Sequence, residues 1–246
     1  MIRLGLLGSS GRMGSLIQKL IHTEFKSELE LIASVRQGDA IEPLLSADVV
    51  IDVSLPPVMV QVASLAIKKS KSLPKFVIGS TGWTQDQYET IQTLSGLTPV
   101  LISSNFSVGV FALSWILRDY SPLFKKLGYT PVITEKHHNH KKDAPSGTAR
   151  SLRESINPHS PEQIQTHSIR AGEIIGDHEV TFFSSEDQIT LSHHAQSRAI
   201  FARGAIEVAK WLAQSTTQSN KILGMEDYFS SLKSHSLGVP LHGNTL

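Results

Sequence analysis

The chain has no cysteine, which excludes disulfides and thiolate metal sites. It is poor in aromatics, at 7%, and has almost no charge imbalance: 23 Lys and Arg against 22 Asp and Glu, or +1. That balance gives no global reason to expect a nucleic-acid partner. No apolar run reaches membrane-spanning length, so no membrane partner is expected. The opening Met1-Ile-Arg-Leu-Gly5 reads as the lead into a strand and not as a signal peptide, and a cytoplasmic location is the expectation. What is present is 246 residues, 40% of them hydrophobic, enough for one large domain or two modest ones.

The densest chemistry lies in Glu135-Lys-His-His-Asn-His-Lys-Lys-Asp-Ala-Pro-Ser-Gly-Thr148, where three histidines and three lysines fall between Lys136 and Lys142. Histidine exchanges protons near neutral pH, and lysine offers a compact cation with three donors. Ser146, Gly147 and Thr148 read as a turn opening a helix, a setting that binds anions. The stretch suits a small substrate that carries carboxylate or phosphate and must gain or lose a proton. Composition alone also allows a solvated basic loop. A zinc site on His137, His138 and His140 is the weaker rival, since the lysines would repel a cation, and no metal is expected.

Before that stretch the pattern is α/β. Ile2 to Leu7 reads as a buried parallel strand, followed by Gly8-Ser9-Ser10-Gly11-Arg12-Met13-Gly14 and then a helical repeat of Met13, Leu16, Ile17 and Leu20. Strand, glycine turn and helix are the context a dinucleotide site requires. Gly8 would make the tight turn, Gly11 would let the backbone approach a pyrophosphate, and Gly14 would let the helix pack closely. Strands are expected at Glu30–Val35, Val49–Val53, Phe76–Ile78 and Thr98–Ile102, with helices over Val58–Lys68 and Thr84–Leu94. The usual ribose-binding acid at the end of the second strand is replaced by Val35, with Arg36 next to it. Arg36 could pair with a 2′-phosphate, which slightly favours NADPH over NADH. Strand ends carry ligands in such sheets, so Gly79, Ser80 and Thr81, and Ser103, Asn105 and Phe106, are further cofactor candidates, with Thr81 also placed toward substrate.

The second half alternates. Tyr129–Thr134 reads as a strand delivering the histidine-rich stretch as a loop, followed by a helix at Gly147–Glu154. Alternating strands follow at Gln163–Arg170, Glu179–Ser184 and Gln188–His193, with a tight polar loop over Arg170–Gly176. A helix after Arg198, a polar loop over Gln214–Asn220 and a loosely specified tail close the chain. Lys68, Lys69 and Lys71 would end the helix after Pro57. The organisation expected is a Rossmann-like parallel-sheet domain over 1–105, an α+β domain on an open mixed sheet over 106–200 for substrate and oligomerisation, and a return to the first domain over 201–246. A hinge near Ser104–Phe106 would make a cleft.

Six stretches, Gly8–Gly14, Gly79–Gly82, Asn105–Val110, Glu135–Ala149, Arg170–Gly176 and Ser197–Ala205, resemble the dihydrodipicolinate reductase family in family order across nearly the whole chain. The resemblance implies reduction of the cyclic product of the preceding synthase to tetrahydrodipicolinate with NADPH or NADH, in the diaminopimelate route to lysine. It implies a homotetramer assembled through the second domain's sheet and a small dicarboxylate substrate. It implies that His137 is the proton donor and Lys141 the key substrate lysine, with His138, Gly147 and Thr148 on the substrate carboxylates. Gly79 and Thr81 would lie near nicotinamide and substrate, and Arg198 and Phe201 would serve cofactor binding or closure. Many relatives carry an acid where this chain has Val35 and arginine where it has Leu55, and many are longer between the second and third strands. A related dehydrogenase of another small carboxylic acid and a non-catalytic nucleotide sensor are the alternatives.

Overall fold

The computed structural model describes residues 1–69, 72–216 and 221–237. Lys71, the end of the loop expected after Gln214, and the last nine residues of the tail lie outside the described residues. The chain divides into two compact units: Met1–Phe106 together with the chain from Phe201, and Ser107–Ile200.

The first unit is built on a five-stranded parallel sheet. Its strands are β1 (Ile2–Leu7), β2 (Leu29–Val35), β3 (Val49–Asp52), β4 (Lys75–Ile78) and β5 (Val100–Ile102). They run in the order β2-β1-β3-β4-β5. The strands are near-continuous apolar runs because both faces are covered; Leu4, Leu6, Val49, Val50, Ile51, Phe76, Val77 and Ile78 have no exposure. Helices α1 (Arg12–Thr23), α2 (Pro56–Lys69) and α3 (Gln85–Ser95) connect the strands. Thr84 caps α3 with a full capping box to Gln87. The short span between β2 and β3 is filled by a 3-10 turn, Glu42–Ser46, whose Leu44 and Leu45 enter the core. The tail adds to the sheet edge: Leu223 bridges Leu101 in parallel, ahead of a helix at Met225–Leu237.

The second unit is a mixed four-stranded sheet, β7-β6-β8-β9, with β6 (Thr130–His137), β7 (Gln165–Arg170), β8 (Asp177–Phe183) and β9 (Gln188–His194). β6 pairs parallel with β7 and antiparallel with β8, and β8 pairs antiparallel with β9. Helices α4 (Val108–Lys126) and α5 (Gly147–Ile156) share a core with it: Leu113, Leu117, Ile133, Leu152, Val180 and Phe182. The apolar spacing of Val108, Phe111 and Trp115 predicts a helix over Ser107–Tyr120, but α4 runs on through Pro122. Phe124 packs against Phe182 at 4.8 Å and Tyr129 at 6.0 Å. Phe124 is half-buried, so its packing offsets only part of a proline cost of about 3 kcal/mol.

The larger correction concerns β6. It does not end at Thr134 but continues to His137, so Glu135 and His137 belong to the sheet and not to the loop. The loop begins at His138.

Candidate active site

In the first unit β1 leads into the glycine turn. Gly8 has φ +86°, and a Cβ there would stand 2.8 Å from the Ser54 nitrogen. A Cβ at Gly14 would lie 2.3 Å from the Gly8 carbonyl oxygen, so only glycine lets α1 pack this close. The Val35 carbonyl accepts hydrogen bonds from the Gly8 and Ser9 N–H groups at 2.9 and 3.1 Å. Val35's side chain is in the core. Position 35 therefore holds the turn by its backbone. Leu55 is 66% exposed.

Beside the turn is a cavity of about 330 Å³ lined by Ser9, Ser10, Ser15, Gln18, Ser34, Arg36 and Asp39. Gln18 organises it, donating to the Ser9 carbonyl at 2.9 Å and accepting from Ser34 at 3.0 Å. Asp39 accepts the Arg36 N–H at 3.1 Å and lies 3.5 Å from its guanidinium. The Gly11 N–H is taken by the Gly8 carbonyl at 3.1 Å, but α1 has no side-chain cap, which leaves its first-turn N–H groups from Arg12 onward for an anion. A polar, hydroxyl-rich cavity beside a helix N-terminus and an arginine fits the phosphates and ribose of a nicotinamide dinucleotide.

The strand ends have their own support. Asp52, fully buried at the end of β3, accepts from the hydroxyls of Ser54 and Ser80, each at 2.5 Å. Burial pushes its carboxyl above the usual range, and those hydrogen bonds work against the rise. Ser80's carbonyl takes the Trp83 indole N–H at 2.9 Å, and Gly82 turns with φ +87°. Thr81 is exposed between them. Ser103's hydroxyl bonds the Asn105 carbonyl at 2.6 Å. Phe106 is 3% exposed, wedged where a Cβ on Gly79 would touch its ring at 2.9 Å. It supports the turn from below. Phe201 is half-buried in the same unit, and Arg198 is exposed in the other.

In the second unit, sheet register assembles a polar row on the face that carries Ile133 and Val180. Alternation puts Glu135 and His137 on that face. Across the ladders, His137 pairs with Arg170, Glu135 with His178, and His178 with His193. Glu135 is fully buried and its carboxylate is fully engaged. One oxygen accepts from His137 Nδ1; the other accepts from Arg170 at 2.8 Å and from the Ser146 N–H at 3.3 Å. Burial opposes ionisation of Glu135, but hydrogen bonds from Arg170, Ser168 and His137 prevail and hold it below the usual carboxylate range. Arg170 also donates to the carbonyls of Asp143 at 2.5 Å and Lys141 at 3.3 Å, tying the loop to the strand.

Burial lowers the His137 imidazole below its ordinary value, against the pull of Glu135; Lys141 and Arg170 lower it further. His178 is held at about 4, by burial first and then by His137. It is therefore neutral at pH 7. Its Nε2 lies 3.2 Å from the hydroxyl of Ser146, which caps α5 by accepting from the Ala149 N–H at 3.1 Å. His193 stands in the same relation to Ser107, the cap of α4, at 3.2 Å. Lys141 pairs with Asp143 at 2.7 Å. His138 is half-buried and tilted against His140, ring centroids 6.2 Å apart. Gly147 and Thr148 form the first turn of α5.

Glu135, His137 and His178 place potential ligand atoms within 4.8 Å of one another. The carboxylate is already committed to Arg170, His137 and a backbone N–H, and the arginine charge stands against it. The cluster is thus a closed hydrogen-bonded network around the Glu135 carboxylate.

The expected residues fall into two sets. Gly8 to Gly14, Arg36, Gly79 to Thr81 and Ser103 to Phe106 lie in the first unit; His137, His138, Lys141 and Ser146 to Thr148 lie in the second. Thr81 is therefore not in the unit that gathers the other substrate candidates. Sequence reasoning assigned no role to Glu135, Arg170, His178 or His193. The available signal was a histidine at an inward position of β8, in line with Val180 and Phe182.

The pattern described as "Dihydrodipicolinate reductase, N-terminus" matches residues 2–106, and "Dihydrodipicolinate reductase, C-terminus" matches residues 109–229. A 4-hydroxy-tetrahydrodipicolinate reductase of Campylobacter jejuni subsp. doylei is 32% identical, covering 95% of this chain and 98% of its own. One from Methanospirillum hungatei is 34% identical, covering 86% and 93%. A solved dipicolinate-bound dihydrodipicolinate reductase from Paenisporosarcina sp. shares the fold, with a TM-score of 0.75 at 21% identity, covering 91% and 97%.

Proposed function

The chain belongs to the dihydrodipicolinate reductase family, and from that premise we infer that it reduces 4-hydroxy-tetrahydrodipicolinate to tetrahydrodipicolinate with a nicotinamide cofactor, in diaminopimelate and lysine biosynthesis. The observation that carries the chemistry is the second unit's array of an acid-paired histidine, a lysine loop and a serine-capped helix N-terminus.

The dicarboxylate docks on Lys141, His138 and the Ser146–Thr148 turn, where a cation and the positive end of α5 favour negative charge. The nicotinamide supplies the hydride. Water leaves the substrate before or during reduction, the conjugated ring takes the hydride at one carbon, and His137 gives a proton to the resulting electron-rich system. In the first unit, the N-terminus of α1 and Arg12 would hold the pyrophosphate. Ser34 and Arg36 would meet the adenosine ribose, and the Ser80–Thr81 and Ser103–Asn105 turns would receive the nicotinamide. NADPH is the favoured form, supported by Arg36 beside a hydroxyl-rich cavity with no acid at position 35.

Location in the cytoplasm fits the absence, among the described residues, of any helix long and apolar enough to cross a membrane. Assembly as a homotetramer through the second unit's sheet is supported by Ile169 and Phe183, each 43% exposed on the face opposite Arg170 and Phe182. A light-scattering mass of four chains is expected.

The test is a coupled assay in which purified synthase supplies fresh substrate. His137→Gln lowers kcat by roughly 10²- to 10⁴-fold, the worth of general acid help. An H137Q enzyme turning over at the parent rate would contradict the assignment.

A further inference from the structure

A proton donor is useful only if one of its two ring nitrogens faces the substrate and the other is committed elsewhere. The buried row in the second unit makes that commitment visible. Glu135 takes His137 through Nδ1 on one carboxylate oxygen, while its other oxygen is held by Arg170 and the Ser146 N–H. The opposite edge of the ring looks toward Gly176, where a Cβ would stand only 3.1 Å from Nε2.

We propose that Glu135 is the positioning residue of this reductase: its carboxylate, pinned by Arg170, holds His137 by Nδ1 so that Nε2 delivers the proton. The inference rests on the reading of His137 as the acid. It resembles the logic of an acid–histidine pair in hydrolases, where the acid fixes tautomer and orientation and steadies the imidazolium without itself taking the proton.

Three observations carry it. The first is register: Glu135 and His137 are two residues apart on one strand, so the same face presents both, and the pairing needs no loop to hold it. The second is that Arg170 serves both the carboxylate and the loop, through the Asp143 and Lys141 carbonyls. One guanidinium thereby keeps the acid pair and the lysine loop in mutual register. The third is the contrast with His178. That ring is equally buried, lies at 5.1 Å from His137 centroid to centroid, and faces the same carboxylate, yet it has no direct bond to it. Burial leaves His178 neutral, at about 4, with no carboxylate bonded to its ring, whereas at His137 the bonded Glu135 carboxylate opposes the lowering by burial.

The charged and titratable groups facing His137 are Glu135 on its own strand, Arg170 on β7, His178 on β8, and Lys141 on the loop, itself paired with Asp143. Of these only Glu135 favours the protonated ring. Neutralising it must move the titration of His137 to lower pH, so the acid form is lost earlier as pH rises.

The experiment compares the parent, Glu135→Gln, Glu135→Asp and His137→Gln in steady-state NADPH oxidation from pH 5.5 to 9, with synthase supplying substrate. E135Q is expected to lose at least about tenfold in kcat at neutral pH, part of the general acid contribution. Its alkaline limb should shift to lower pH, with KM for NADPH unchanged, and E135D should recover part of the loss. An E135Q enzyme with the parent's kcat and pH profile, beside an inactive H137Q, would overturn the positioning role alone. An H137Q enzyme at the parent rate would overturn the reading beneath it. Should E135Q fail to fold, ¹⁵N NMR of the histidine-labelled parent, with H137Q identifying the resonance, reads the same point. A protonated Nδ1 on neutral His137 supports the proposal, and an unprotonated Nδ1 overturns it.

Discussion

Gly176→Ala tests the site by adding a single methyl group. The new Cβ would stand 3.1 Å from His137 Nε2, 3.5 Å from its Cδ2 and 3.7 Å from His178 Cε1. Ordinary contact begins near 3.4 Å, so 3.4 minus 3.1 leaves about 0.3 Å to be found. Neither side yields freely. His137 is anchored by Glu135, and the Gly176 carbonyl accepts the Ala195 N–H at 3.0 Å. Overpacking costs about 1–3 kcal/mol, and alanine's lower unfolded-state entropy returns about 0.4–1 kcal/mol. A net loss of about 1 kcal/mol corresponds to a Tm lower by roughly 2–4 °C for a chain of this size. The catalytic effect is larger, because a displacement of about 1 Å can cost about 10²-fold and the methyl also covers Nε2. A fall in kcat of about tenfold is expected, with cofactor KM unchanged. Calorimetry and the coupled assay read the two effects separately. A G176A enzyme with the parent's kcat would refute the claim that the Nε2 edge of His137 is the working edge.

Lys141→Ala should raise KM for the dicarboxylate and lower kcat, since a charge-assisted contact of roughly 1.5–3 kcal/mol is lost; KM for NADPH reads as the control. Arg36→Ala should raise KM for NADPH by about tenfold while leaving NADH unchanged, and an equal effect on both would remove the 2′-phosphate assignment. His178 titrates at about 4 when folded, against 6.5 when free, so the unfolded chain binds its proton first as pH falls. Its contribution is complete above 6.5 and is lost as pH drops toward 4, a difference of 2.5 units or about 3 kcal/mol. Urea unfolding at pH 7 and pH 4.5 should show this loss, and His178→Gln should flatten it.

The first unit was legible because its signals are local. Gly8, Gly11 and Gly14 follow a buried strand and open a helix, and each subsequent strand is a short apolar run flanked by turn residues. The second unit was legible in type but not in detail. Glu-Lys-His-His looks like a solvated loop because an inward-facing polar pair erases the apolar alternation that marks a half-buried strand. The end of β6 was therefore missed, and with it the fact that Glu135 and His137 share a face. His178 and His193 were missed for a related reason: their partners are the cap serines of α5 and α4, set by cross-strand register and not by sequence spacing. The helix expected to stop at Tyr120 instead runs on through Pro122, where Phe124 packs against Phe182.

Hydride transfer itself is measured most directly by adding purified enzyme to freshly generated substrate and following NADPH and NADH oxidation side by side. Substrate-dependent oxidation that is slowed in both K141A and H137Q is the predicted result. Tight NADPH binding with no oxidation on that substrate would contradict it.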